Sequence, residues 1–136
     1  MDWQGWAQRA ERALAFEEEG SWRDLFAANA TFGDPHTPET TDLRAVQRGT
    51  AAVFPDWRQE ITSIRGGADW AVFEWIGRAI YAGRSPEDLA AGTRVEMHGA
   101  TIIEVDGEGL VTRWRDYLDR KEPEDQLRAA AKRARS

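Results

Sequence analysis

A long hairpin near the C-terminus constrains this chain most. Gly92 to Asp106 and Leu110 to Leu118 read as two strands around Gly107-Glu108-Gly109. Asp106-Gly107 is expected to set the turn, with the glycine supplying the positive φ that a short hairpin loop needs. Ile103, Val105, Leu110 and Thr112 alternate with Glu108, Arg113 and Arg115, the pattern of a sheet with one apolar and one wetter face. Period-2 geometry then puts Trp114, Asp116 and Leu118 on one face. A carboxylate sharing a face with tryptophan and leucine is paired, exposed or functional.

The preceding chain supplies what covers that sheet. Trp3, Trp6, Ala10, Ala13 and Leu14 recur at helical spacing and predict a helix from about Asp2 to Glu19, ended by Gly20. Ser21 can cap a second, short helix over Trp22 to Ala28. A brief strand, Ala30 to Phe32, closes at Gly33-Asp34-Pro35, and the loop Thr37 to Asp42 leads into a third helix. Leu43, Val46, Thr50, Val53 and Phe54 are its expected buried stripe, with Pro55-Asp56 as the stop. From Trp57 the period changes to two. Strands are expected over Trp57 to Arg65 and Trp70 to Tyr81, joined at Gly66-Gly67. The second is apolar on both faces, as in a central strand or one covered by a partner. Three helices followed by an antiparallel meander make an α+β domain. One domain spans 1–120, and 121–136 is a polar tail that can form a helix after Pro123, frayed or lightly packed, with Leu127 as its one anchor.

Totals exclude several function classes. A net charge of −6 opposes general nucleic-acid binding, which needs a basic face. No run is apolar and long enough to span a membrane, and Met1-Asp2-Trp3-Gln4 lacks a signal peptide's regions, so a cytoplasmic protein is expected. Without cysteine there is no thiolate chemistry. Two histidines without clustered carboxylates argue against a metal, and no dinucleotide or phosphate-cradling motif points to a cofactor.

Several residues have the chemistry for proton transfer. Asp34 and His36 flank Pro35, close enough to exchange protons, although Asp-Pro also starts ordinary turns. Asp116 is the second candidate, with Arg78 and Glu74 as expected cross-strand neighbours in either an acid–base cluster or an ion-pair network. Trp57, Trp75 and Trp114 are core or the wall of an apolar pocket, with Met97 and Thr101 on the same side. Parity places His98 and Glu96 on the opposite face, towards a partner.

Element order and four short motifs resemble the nuclear-transport-factor-2-like superfamily, specifically its SnoaL-like and limonene-epoxide-hydrolase-like branch. The motifs are Ala30-Thr-Phe-Gly-Asp-Pro35, Val53-Phe-Pro-Asp-Trp57, Phe73-Glu-Trp75 and Val111-Thr-Arg-Trp-Arg-Asp-Tyr-Leu-Asp119. The resemblance implies a cone of three N-terminal helices packed on a curved, mainly antiparallel mixed sheet, an apolar pocket, and a homodimer through the sheet face. It places Asp34 where ketosteroid isomerase keeps its general base. Asp116 stands where limonene epoxide hydrolase keeps one catalytic aspartate. The epoxide hydrolase's second aspartate is Arg78 here, and the isomerase's carboxylic acid falls near Thr101.

The reading that follows is an acid–base enzyme that needs no cofactor. It would isomerise, cyclise, dehydrate or hydrolyse a small apolar polyketide-, steroid- or terpenoid-like molecule. Asp34 or Asp116 would move the proton, His36 would assist, and Arg78 would hold Asp116 or a ligand oxygen. Trp57, Glu74, Met97, Thr101 and Trp114 would line the pocket. The alternative is a non-catalytic binding or dimerisation module of the same fold. Water elimination of the scytalone-dehydratase kind would require His36 or His98 inside the cavity.

Overall fold

The computed structural model describes residues 1–15 and 21–136. Helix α1, Trp3–Leu14, starts where the Asp2 side chain accepts the Gly5 N–H at 2.9 Å. It buries Trp3, Trp6, Ala7, Ala10, Ala13 and Leu14 along one stripe. The expected run on to Glu19, the stop at Gly20 and the Ser21 cap fall outside the described residues and side chains. A 3-10 turn follows at Ser21–Leu25, and strand β1 covers Phe26–Asp34. Phe26 to Ala28 are therefore strand, where local spacing favours helix. Phe26 pairs in register with Val111 and packs its ring against Trp114 at 5.6 Å. Sheet pairing outweighs the weak propensity of so short a helical run.

Strand β2 is Thr37–Thr40, helix α2 Leu43–Val53, β3 Arg58–Gly66, β4 Trp70–Ile80, β5 Arg94–Val105, β6 Val111–Leu118 and α3 Lys121–Arg135. The expected loop at Thr37 to Thr40 is thus an edge strand, a position that tolerates Pro38 because one ladder side is unused. One curved, unclosed six-stranded sheet has the order β2-β1-β6-β5-β4-β3. Only β1 and β6 run parallel. The β5–β6 turn departs from expectation in one detail: the positive φ is at Gly109, not Gly107. Asp106 Oδ1 accepts from the N–H groups of Glu108 and Leu110, which fixes the turn from its first residue.

The inner face of the sheet is aromatic. Trp6, Phe73 and Trp114 interlock, with ring centroids of Phe73 and Trp114 5.4 Å apart. Two glycines make room for two more indoles. A Cβ on Gly77 would lie 2.1 Å from Trp57, and one on Gly99 would lie 2.3 Å from Trp75. Each tryptophan can therefore lie across the neighbouring strand only because that strand carries glycine. On the outer face Trp70, Val72 and Tyr117 are exposed.

Two helices behave differently from the sequence expectation. The stripe of α2 is not buried; no residue of that helix is. Val46, Thr50, Val53 and Phe54 instead border a cavity between α2 and the sheet. The tail forms a full helix, with Pro123 in its first turn, where the missing N–H costs nothing. It docks on β5 beyond the end of β6, whose pairing starts at Gly99↔Leu118. There the Gln126 amide replaces a strand. It accepts the Glu96 N–H at 2.8 Å and donates to the Glu96 carbonyl at 2.6 Å. Among the described residues no helix is long and apolar enough to cross a membrane.

Candidate active site

The cavity has a volume of about 600 Å³, within the usual range for a small-molecule site. Trp22, Phe32, Val53, Trp57, Trp75 and Met97 are among the apolar residues of its wall. The charged side chains of the lining, Asp34, Asp116 and Arg120, lie where β1 and β6 end. The last paired positions of these parallel strands include Gly33↔Arg115. One residue further on each strand stand Asp34 and Asp116, and both reach the cavity.

Asp116 is held by one oxygen. Its Oδ1 accepts the Thr101 hydroxyl at 2.6 Å and the Trp114 indole N–H at 2.8 Å. Thr101, which is fully buried and paired across the sheet with Asp116, accepts in turn from Trp75 Nε1 at 2.8 Å. Oδ2 takes no hydrogen bond from the described residues, which leaves it for whatever occupies the cavity. Burial pushes the Asp116 carboxyl up to about 6; the two donors oppose the rise and the nearby Asp34 charge adds to it. A carboxyl in that range serves as either proton acceptor or donor near neutral pH.

Asp34 is fixed by its own turn. Oδ1 accepts the His36 backbone N–H at 2.7 Å, and Oδ2 lies 3.8 Å from Arg120 Nη2. Arg120, the residue before α3, also lines the cavity. Nothing in the strand pattern points to it, because it follows the last strand residue, where alternation no longer applies.

The other candidate residues divide by face. Trp57, Met97 and Trp114 line the cavity, and Thr101 touches it through Asp116. Arg78 does not approach Asp116. It stands on the outer face, bridging Glu60 at 3.0 Å and Glu96 at 3.1 Å. Glu74 is on that face too, accepting from Ser63. Phe73, Trp75 and Gly77 point inward, so period 2 sends Glu74 and Arg78 outward. His36 is exposed outside the cavity, its side chain carried away by the β1–β2 turn. His98 is exposed on the outer face, with Nδ1 2.6 Å from Glu122 of α3. Neither histidine is placed for water elimination in the cavity. The tryptophans form its walls without filling it. Among the described residues no group of three or more potential metal ligands is assembled.

A model of the SnoaL-like domain family matches residues 8–114. None of the curated proteins compared matches the sequence. Among solved structures, IdmH from Streptomyces antibioticus, a candidate polyketide cyclase, aligns with a TM-score of 0.78 at 17% identity. The alignment covers 93% of this chain and 99% of that one. AclR from Streptomyces galilaeus, a candidate hydroxylase, aligns with a TM-score of 0.76 at 16% identity over 93% and 95% of the two chains. An LEH-like epoxide hydrolase from M. tuberculosis gives 0.68 at 17% identity over 90% and 86%. Likeness at such identities establishes the fold. The family match spans most of the chain, and the protein belongs to the SnoaL-like domain family, built on the nuclear-transport-factor-2-like cone.

Proposed function

We propose that the protein is an acid–base enzyme acting on a small, largely apolar molecule held in the cone, with Asp116 as its proton-transfer group. The observation that carries this reading is the division of labour within one carboxyl. Oδ1 is anchored by Thr101 and Trp114, Oδ2 takes no hydrogen bond from the described residues, and burial beside the aromatic cavity lifts the pKa to about 6. At neutral pH the group is mostly carboxylate, available as a base, and close enough to its pKa to return the proton. Asp34 borders the same space and keeps Asp116 from ionising too readily. Structures of this fold described as a candidate polyketide cyclase and an LEH-like epoxide hydrolase support small-molecule chemistry of this class. Isomerisation, cyclisation, elimination and hydrolysis can each begin with a carboxylate taking a proton from carbon or from water.

A nitrobenzisoxazole tests the base without knowledge of the natural substrate. Removing the proton from the carbon beside its ring nitrogen breaks the N–O bond and releases a coloured phenolate. The rate should rise with pH through an inflection near 6. Asp116→Asn should lower it about 100-fold or more. Tm should stay nearly constant, since asparagine keeps an oxygen for Thr101 and Trp114. A rate that survives the substitution contradicts the reading and favours a binding module. A collapse of Tm would make Asp116 a structural residue.

A further inference from the structure

Proton removal beside a carbonyl shifts an electron pair onto the carbonyl oxygen, and that developing charge needs a donor. Among the described residues lining the cavity, Arg120 is the one cationic side chain. Within the described residues its guanidinium is held only by a long ion pair to Asp34. Nη2 lies 3.8 Å from Asp34 Oδ2, beyond hydrogen-bond reach, and no described residue takes a hydrogen bond from it. By contrast Arg78 is held by Glu60 and Glu96, and Arg113 by Glu39. An arginine with five N–H donors, loosely steered by one carboxylate at a cavity mouth, is poised to take an oxygen.

The backbone under Arg120 is fixed for the purpose. It is helical, with φ −64° and ψ −23°, and its side chain makes no cap bond. The helix it leads is tied to β5 by the paired Gln126–Glu96 bonds and by Glu122 on His98. Arg120 therefore projects from an anchored helix start, paired with Asp34 and lining the cavity that Asp116 also lines.

We propose that Arg120 donates a hydrogen bond to a carbonyl oxygen of the substrate and stabilises the enolate formed as Asp116 removes the adjacent proton. The substrate class is then an apolar ketone or similar carbonyl compound, oriented with its oxygen at the mouth and its carbon body against the tryptophans. The C–H bond breaks, its proton goes to Asp116 Oδ2, its electron pair becomes the enolate double bond, and the carbonyl π pair moves to the oxygen facing Arg120. Asp116 then returns the proton to the same carbon or another, with no net oxidation. The assignment rests on the proton-transfer reading of the site, but its test does not.

The probe is para-nitrophenol, whose neutral and ionised forms differ in colour and whose phenolate oxygen stands in for the enolate oxygen. It is bound to Asp116→Asn, in which residue 116 no longer titrates, and to the same variant carrying Arg120→Ala or Arg120→Lys. With Arg120 present the bound phenol should ionise about one pH unit lower than with alanine, a tenfold preference for phenolate. Lysine should keep part of that shift, and Tm should be the same in all three because the side chain is half exposed. Equal ionisation with arginine and alanine overturns the proposal, as does failure of the phenol to bind. A phenolate preference that stands while the benzisoxazole rate survives Asp116→Asn would remove Asp116 as base and leave Arg120 in place.

Discussion

Thr101 uses one hydroxyl twice, donating to Asp116 Oδ1 and accepting from Trp75 Nε1. Its bond to Asp116 favours the charged carboxylate, so Thr101→Val should raise the Asp116 pKa further above about 6. The acid limb of the pH–rate curve should then move to higher pH, lowering the rate near pH 6. The orphaned Trp75 N–H should also cost roughly 1–3 kcal/mol in denaturant unfolding. An unshifted limb would show that Thr101 does not tune the carboxyl. Some of this was readable in the sequence. Alternation alone put Trp114 and Asp116 on one face, and Asp34 ends a strand that reaches the same space. Arg78 and Glu74 point away from Asp116 because the parity of their own strand outweighs their charge complementarity. Phe73 and Trp75 mark the inward parity of β4, and the charged residues between them must face out. Gly99 and Gly77 were readable only after the fact, since a strand glycine does not announce which indole crosses it.

At the scale of elements, α2 and α3 make opposite points. An amphipathic stripe normally identifies a buried helix face, and α2 has the stripe without burial because it borders a cavity. Its apolar face gains contacts from a ligand. An apolar probe bound in the cone, such as a neutral naphthylamine, should therefore slow amide hydrogen exchange across Val46 to Val53 more than across β4 and β5. Equal protection everywhere would mean that α2 is not the cavity's adjustable wall. Helix α3 has few apolar residues, and its docking was invisible in the pattern. It depends on a side-chain amide meeting a stretch of strand that outruns its neighbour, which no periodicity records.

The whole molecule is a sheet whose concave side is packed with aromatic rings at one end and left open at the other. The α+β class and the long β5–β6 hairpin were legible because alternation persists over many residues and glycines punctuate it. The edge strand β2 and the strand start at Phe26 were not, since both exist through pairing with distant partners. The packed end gives the fold its rigidity; the open end brings together Asp34, Asp116 and Arg120 from two strand ends and a helix start. All of the proposed chemistry depends on the state of one carboxyl there. Its titration can be followed directly by the carboxyl-carbon NMR shift of Asp116, assigned by its disappearance in Asp116→Asn. The expected result is a single inflection near pH 6 that moves when an apolar ligand fills the cone. An inflection near the ordinary aspartate value of about 4, unmoved by ligand, would contradict it.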